Sequence, residues 1–243
     1  MSTLNRLRST YRSGGLQAVY NESRRYWRDH PTRILQYARV RTAKLAWLSA
    51  YTAVADPTKL LYVSPDCITR VSNNFSTSAD VGRIVDGDWD RHTTDFTEKI
   101  RYQAIRQRYE DGDSWEDTGI YEYYLKYIET RSRYDGCYTL DDVKHRYRTV
   151  DRMYESMKET GYDESKVENV LDHVCVNIGR DGELLHAGVG NHRLSIAKLL
   201  DLDEIPVRVV VRHEEWQQKR ERVEAREDDI PHSEIHPDLQ DLL

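Results

Sequence analysis

Cysteine is scarce in this chain: Cys67, Cys137 and Cys175 are the only 3 among 243 residues, widely spaced and without paired metal-ligand spacing. That pattern indicates neither a disulfide framework nor a structural zinc site, and reduced, incidental thiols are expected. No apolar run approaches the length needed to span a bilayer, and the N-terminus has no short apolar core of the secretory kind. The expectation is therefore a cytoplasmic protein. Internal repeats and low-complexity linkers are missing too. With 38% hydrophobic and 32% charged residues, the chain reads as globular, long enough for one large domain or a core with a helical extension.

One sign of charge is nearly missing from the start. Residues 1–50 hold ten basic side chains against Glu22 and Asp29, a balance of +8, so the remainder carries −14 within the net −6. This arm is expected to form helices broken at Gly14-Gly15 and near Pro31. It could dock on anionic lipid, on nucleic acid or on the acidic body; Arg41 interrupts the apolar spacing and makes it a poor membrane stripe, so packing or a peripheral surface role is expected over DNA binding.

The densest information lies in residues 181–213. Asp181-Gly182 separates the apolar runs 174–178 and 184–187, the signal of a hairpin whose turn needs positive φ. Gly188 and Gly190 follow, then Asn191 as a helix cap. Leu194, Ile196, Ala197, Leu199 and Leu200 come next at helical spacing. Pro206 opens a β-branched run that suits a strand. Free N–H groups and the positive dipole end of the helix favour an anion at its start, where His192 and Arg193 add donors. Gly188, Gly190, Asn191, His192 and Arg193 are thus the candidate phosphate-binding residues. Ser195, His173 and His186 read as structural, and His213 as a residue near the site or a strand-end cap.

The segment resembles the ParB/sulfiredoxin superfamily in its Gly190-Asn191-His192-Arg193 signature, its Ala- and Leu-rich helix and its Ile205-Pro206-Val207 strand. The residues Leu61-Tyr62-Val63-Ser64-Pro65-Asp66 and Ile68 are similar to that family's opening strand and turn. The resemblance implies an α+β fold with a small mixed sheet and flanking helices over residues 57–213. It also implies a nucleotide ligand: ATP, ADP or CTP. Asn191 stands where sulfiredoxins carry their cysteine, so their thiol chemistry has no nucleophile here. The short charged C-terminus has no room for a partitioning protein's DNA reader. The free-serine-kinase branch is the leading analogy, with a small hydroxyl-bearing acceptor.

Asp86, Asp88 and Asp90 crowd around Gly87 and Trp89. Asp88 and Asp90, one residue apart, are expected to face the same way and to bind Mg²⁺ or accept a hydroxyl proton, with His192 as a further catalytic candidate. The expected activity is Mg²⁺-dependent phosphoryl transfer. The alternatives are a non-catalytic nucleotide-responsive binding protein, which would be indifferent to Asp88 and Asp90, and a DNA-binding protein or nuclease.

Residues 94–161 read as three helices inserted into this domain. The first covers 96–109 and stops at Asp111-Gly112-Asp113. Capping-box patterns at 114–117 and 139–142 are expected to start the others. The many tyrosines, among them Tyr121, Tyr123, Tyr124 and Tyr127, suit a core with an aromatic rim. A charged helix over 217–227 is expected to end in a loose acidic tail, residues 228–243.

Overall fold

All nine residues of the strand Ile205–His213 are buried, although Arg208, Arg212 and His213 are among them. A strand buried on both faces lies at the centre of a covered sheet. The computed structural model describes residues 50–167, 172–228 and 235–243, with the isolated positions 16, 38 and 42. Almost all of the basic arm lies outside the described residues.

Seven strands form one mixed sheet: β1 (Leu60–Val63), β2 (Arg70–Val71), β3 (Arg83–Val85), β4 (Thr94–Asp95), β5 (Val174–Ile178), β6 (Leu184–His186) and β7 (Ile205–His213). Their order is β1-β7-β5-β6-β2-β4, with β3 also paired to β7. β7 runs parallel to β5 on one edge. On its other edge it meets antiparallel β1 through Ile205 to Arg208, then parallel β3 through Val211 to His213. β5 and β6 form the expected hairpin, and Gly182 at its turn has φ +90. An α+β protein with a mixed sheet is what the sequence anticipated. Among the described residues, no helix is long and apolar enough to cross a membrane.

The helices stack on one face of the sheet. α1 (Ile100–Arg106), α2 (Ile120–Arg131) and α3 (Leu140–Thr160) follow one another between β4 and β5, and α4 (Asn191–Leu199) links β6 to β7. Val174, Val176 and Ile178 of β5 and Ile205, Val207 and Val209 of β7 share a core with Ile105, Tyr124, Val143, Tyr147, Leu194 and Ile196 from these helices. α3 is amphipathic because Val143, Tyr147, Val150 and Met157 recur at helical spacing. Thr139 and Asp142 cap it reciprocally, as the sequence predicts. The tyrosines divide as expected: Tyr121 and Tyr124 are buried, while Tyr123 and Tyr127 form a half-buried rim.

The capping-box pattern at 114–117 has a different outcome. Ser114 and Asp117 do exchange hydrogen bonds, at 2.6 and 3.3 Å. They close a turn, and α2 starts only at Ile120 after Gly119 at φ +70. The cap signal is local, and here Trp115 is drawn into the core instead of starting a helix.

The C-terminal end also departs from expectation. α5 (Glu214–Glu224) begins at a His213 cap, and after residues 229–234, which lie outside the described set, the chain returns as a 3₁₀ helix, Pro237–Leu242. Asp238 is 1% exposed and Leu239 is buried. The Asp238 carboxylate accepts from Arg212 Nε at 2.9 Å and Trp216 Nε1 at 2.9 Å, and pairs with Arg220 at 3.2 Å. Two buried arginines need a counter-charge, so this part of the acidic tail is fixed in the fold.

Candidate functional site

The glycines before α4 have packing reasons of their own. Gly190 is the left-handed N-cap of α4 at φ +86, and a Cβ there would lie 2.6 Å from Val174 Cα. Only glycine lets the turn lie against the first residue of β5. His186 clamps the same turn. Its Nδ1 accepts from the Gly188 N–H at 3.2 Å, and its Nε2 faces the Val189 carbonyl at 3.1 Å. Asn191 donates back to the Gly188 carbonyl at 2.7 Å instead of capping the helix, and Ser195 bonds the Asn191 carbonyl at 2.8 Å. The Gly188 N–H is therefore committed to the protein. No side chain caps the first turn of α4.

His192 and Arg193 leave this turn in different directions. His192 packs edge-on against Tyr147 of α3, ring centres 5.7 Å apart. Burial lowers its pKa to about 3, helped by the nearby Arg101 and Arg146 guanidiniums, so the ring is neutral. Around it lies a network that the sequence reading missed. Asp135 receives Arg101 at 3.0 Å, Arg146 at 2.8 Å and the Tyr124 hydroxyl at 2.9 Å. Asp135 reaches this position through a two-residue turn between α2 and α3. Tyr134 and Cys137 exchange backbone hydrogen bonds across Asp135 (φ +49) and Gly136 (φ +83). An Asp-Gly dipeptide is the recognisable signal for such a turn.

Arg193 instead donates to the Asp172 carbonyl at 2.6 Å and lines a cavity of about 340 Å³ between α3 and the loop after it. Arg152 and Lys166 line the same space, with Met153, Met157 and Tyr162 as its apolar part. The carboxylate of Asp163, also in the lining, lies 3.6 Å from Lys166. Among the described lining residues three cations stand against one acid. Among the described residues neither Arg152 nor Arg193 has a carboxylate partner. The volume sits at the small end of the ~300–1,000 Å³ typical of ligand cavities.

Asp88 and Asp90 are elsewhere. The Asp90 carboxylate, 7% exposed, takes the Arg180 backbone N–H at 2.9 Å, Nε at 3.0 Å and Nη2 at 2.8 Å. Asp88 meets the same Nη2 at 2.9 Å and Arg91 at 3.1 Å. Burial alone would raise the Asp90 carboxyl, but the Arg180 hydrogen bonds outweigh it and bring the pKa down to about 2. Residues 88–90 form a turn and not the extended segment of that expectation, and both acids meet the Arg180 guanidinium. That geometry does not fit a Mg²⁺ site, because the cation would compete with Arg180 for both carboxylates. Among the described residues no group of three or more His, Cys, Asp or Glu side chains is placed to hold a metal ion.

The structure does not bring these acids to the α4 turn. Gly190 lies against Val174 at the start of β5, whereas Asp90 lies against Gly179 and Arg180 just past its end. At ~3.3 Å per residue, the length of β5 puts them roughly 16 Å apart. His213 caps α5, accepting from the Glu215 N–H at 3.1 Å, and sits 2.7 Å from the Gly87 carbonyl, so it serves the acidic loop.

Comparison with protein-family models, curated proteins and solved structures gave no match to this chain.

Proposed function

We propose that the protein binds a nucleotide or a related phosphate ester in the cavity between α3 and the start of α4, as a nucleotide-responsive binding protein. The observation that carries this is the convergence of Arg152, Lys166 and Arg193 on one 340 Å³ space whose other walls are Met153, Met157 and Tyr162. Arginine forks and a lysine suit phosphate oxygens, and thioether and aromatic groups suit the face of a base. Arg193 belongs to the first turn of α4, so the helix dipole adds to the same charge. The resemblance of Gly190-Asn191-His192-Arg193 and Ile205-Pro206-Val207 to the ParB/sulfiredoxin superfamily supports the same ligand class and a fold of that type.

Phosphoryl transfer through Asp88 and Asp90 has less support, since both acids are held by Arg180 at the far end of β5. The test is calorimetric titration of ATP, ADP and CTP, with and without Mg²⁺, into the wild type, Arg152→Ala/Arg193→Ala and Asp88→Asn. Micromolar binding that is lost in the double variant and kept in Asp88→Asn is the expected result. Binding that requires Asp88 and Mg²⁺ together would restore the kinase reading. No binding by the wild type would end the nucleotide reading altogether.

A further inference from the structure

Three polar side-chain atoms without partners lie where α3 packs on the start of α4. Arg146 Nε, Tyr147 Oη and His192 Nε2 are each shut off from solvent, and among the described residues none has a hydrogen-bond partner. Buried polar groups are almost always paired, so three orphans in one contact cluster call for an explanation. The contacts are continuous. The His192 ring meets Tyr147 at 5.7 Å, Tyr147 meets Tyr124 at 5.8 Å, and Tyr124 bonds the Asp135 that holds Arg146.

The three atoms share a chemical need. A guanidinium N–H and a phenol O–H donate, and His192 donates in the tautomer that carries its proton on Nε2. Arg146 and Tyr147 therefore lack an acceptor, and in that tautomer His192 lacks one too. The charge points the same way: Arg101 and Arg146 share the single carboxylate of Asp135 while His192 is neutral, leaving an excess of one positive charge. The uncapped first turn of α4 adds its N–H groups beside them. Access exists at the outer rim, where the Arg146 and Asp135 side chains are 30% and 38% exposed.

We infer that this junction is an oxyanion site, in which a phosphate or carboxylate group accepts hydrogen bonds from Arg146, Tyr147 and His192. It is separate from the cavity of Arg152, Lys166 and Arg193 and does not rest on the nucleotide reading. Tyr124 lies against Tyr147 and accepts from Arg101, and Asp135 pairs with both guanidiniums.

The test is thermal unfolding of the full chain at neutral pH and constant ionic strength, with chloride replaced stepwise by inorganic phosphate, sulfate or acetate. Four proteins are compared: wild type, Tyr147→Phe, Arg146→Lys and the cavity variant Arg152→Ala/Lys166→Ala. A saturable rise in Tm is expected in the wild type and in the cavity variant, with the midpoint shifted about tenfold to weaker binding in Tyr147→Phe and Arg146→Lys. In chloride alone Tyr147→Phe should melt at or above the wild-type temperature, because it removes an unpartnered hydroxyl at nearly constant volume. Response to phosphate and sulfate only would identify a phosphate-type ligand, and response to acetate as well a carboxylate. The inference is overturned by the lack of any saturable rise in the wild type, or by a rise that Tyr147→Phe leaves intact. A rise abolished only in the cavity variant would also overturn it, and would leave the nucleotide reading standing. Tyr147→Phe decides the matter even if Arg146→Lys does not fold. On phosphate addition the His192 ring nitrogen signal should move in the wild type and stay still in Tyr147→Phe.

Discussion

Asp90 holds Arg180 by three hydrogen bonds, two from the guanidinium and one from the backbone, and so fastens the loop of residues 86–91 to the β5–β6 hairpin. Arg180 also donates to the Gly87 carbonyl of the same loop at 2.9 Å. A carboxylate in this role is structural. Asp90→Asn is expected to lower the urea midpoint without changing nucleotide affinity, whereas the more exposed Asp88→Asn should leave both nearly unchanged. An Asp90→Asn protein that keeps its stability and loses ligand would return Asp90 to the binding site.

Gly190→Ala carries a steep cost. The added Cβ meets the Val174 backbone at 2.6 Å, and the residue must hold φ +86. Left-handed backbone and overpacking together predict a loss of about 2–4 kcal/mol in denaturant unfolding. A loss below 1 kcal/mol, on the order of an ordinary surface change, would mean that the turn relaxes easily away from β5.

Acid should destabilise the fold from near neutrality. Burial lowers the pKa of both His186 and His192 to about 3, with Lys99 beside the first and Arg101 and Arg146 beside the second. Each ring binds a proton more readily when unfolded, at about 6.5. Stability is therefore full above pH ~6.5 and falls as pH drops toward ~3, by about 1.4 kcal/mol per pH unit for each histidine. Urea midpoints in chloride buffers across this range measure the slope. His192→Gln should reduce it by one proton, and an unchanged slope would show that His192 does not stay neutral.

Asp238 is expected to dominate the docking of the C-terminal 3₁₀ helix. Removing its carboxylate leaves Arg212 and Arg220 buried without their shared counter-charge, and the Arg220 guanidinium also bonds the Asp238 carbonyl. Asp238→Ala should cost about 3–5 kcal/mol. Limited proteolysis would show residues 235–243 cleaved in the variant and protected in the wild type. Equal protection in both would contradict this role.

Arg208 is the reverse case. It is fully buried in β7, donates from Nη2 to the Thr77 carbonyl at 3.0 Å and to Cys175 Sγ at 3.2 Å, and leaves Nε and Nη1 unpartnered. A buried charge so poorly matched is costly, and an apolar replacement of similar length removes that cost. Arg208→Met should be neutral or more stable by ~1–4 kcal/mol in equilibrium unfolding. A marked loss of stability would mean that the guanidinium has a counter-charge beyond the described residues.

Local chemistry fixed much of the α4 region in advance. Asp181-Gly182 set a hairpin, the apolar spacing from Leu194 to Leu200 set a helix, and Thr139 with Asp142 set the start of α3, because each depends on neighbours within a few residues. Side-chain destinations were a different matter. His192 and Arg193 are adjacent in sequence, yet one packs against Tyr147 and the other lines a cavity with Arg152 and Lys166. Asp88 and Asp90 read as a metal pair until Arg180, ninety residues away, is seen between them. The Asp135-Gly136 turn is legible in the sequence, but its partners Arg101, Tyr124 and Arg146 on α1, α2 and α3 carry no motif. By itself the sequence determined the β5–β6 hairpin, the helix after Gly190 and the start of α3, since those preferences are short-ranged. Only the tertiary structure decided which charges meet, because that depends on how β5 and α3 bring distant segments together.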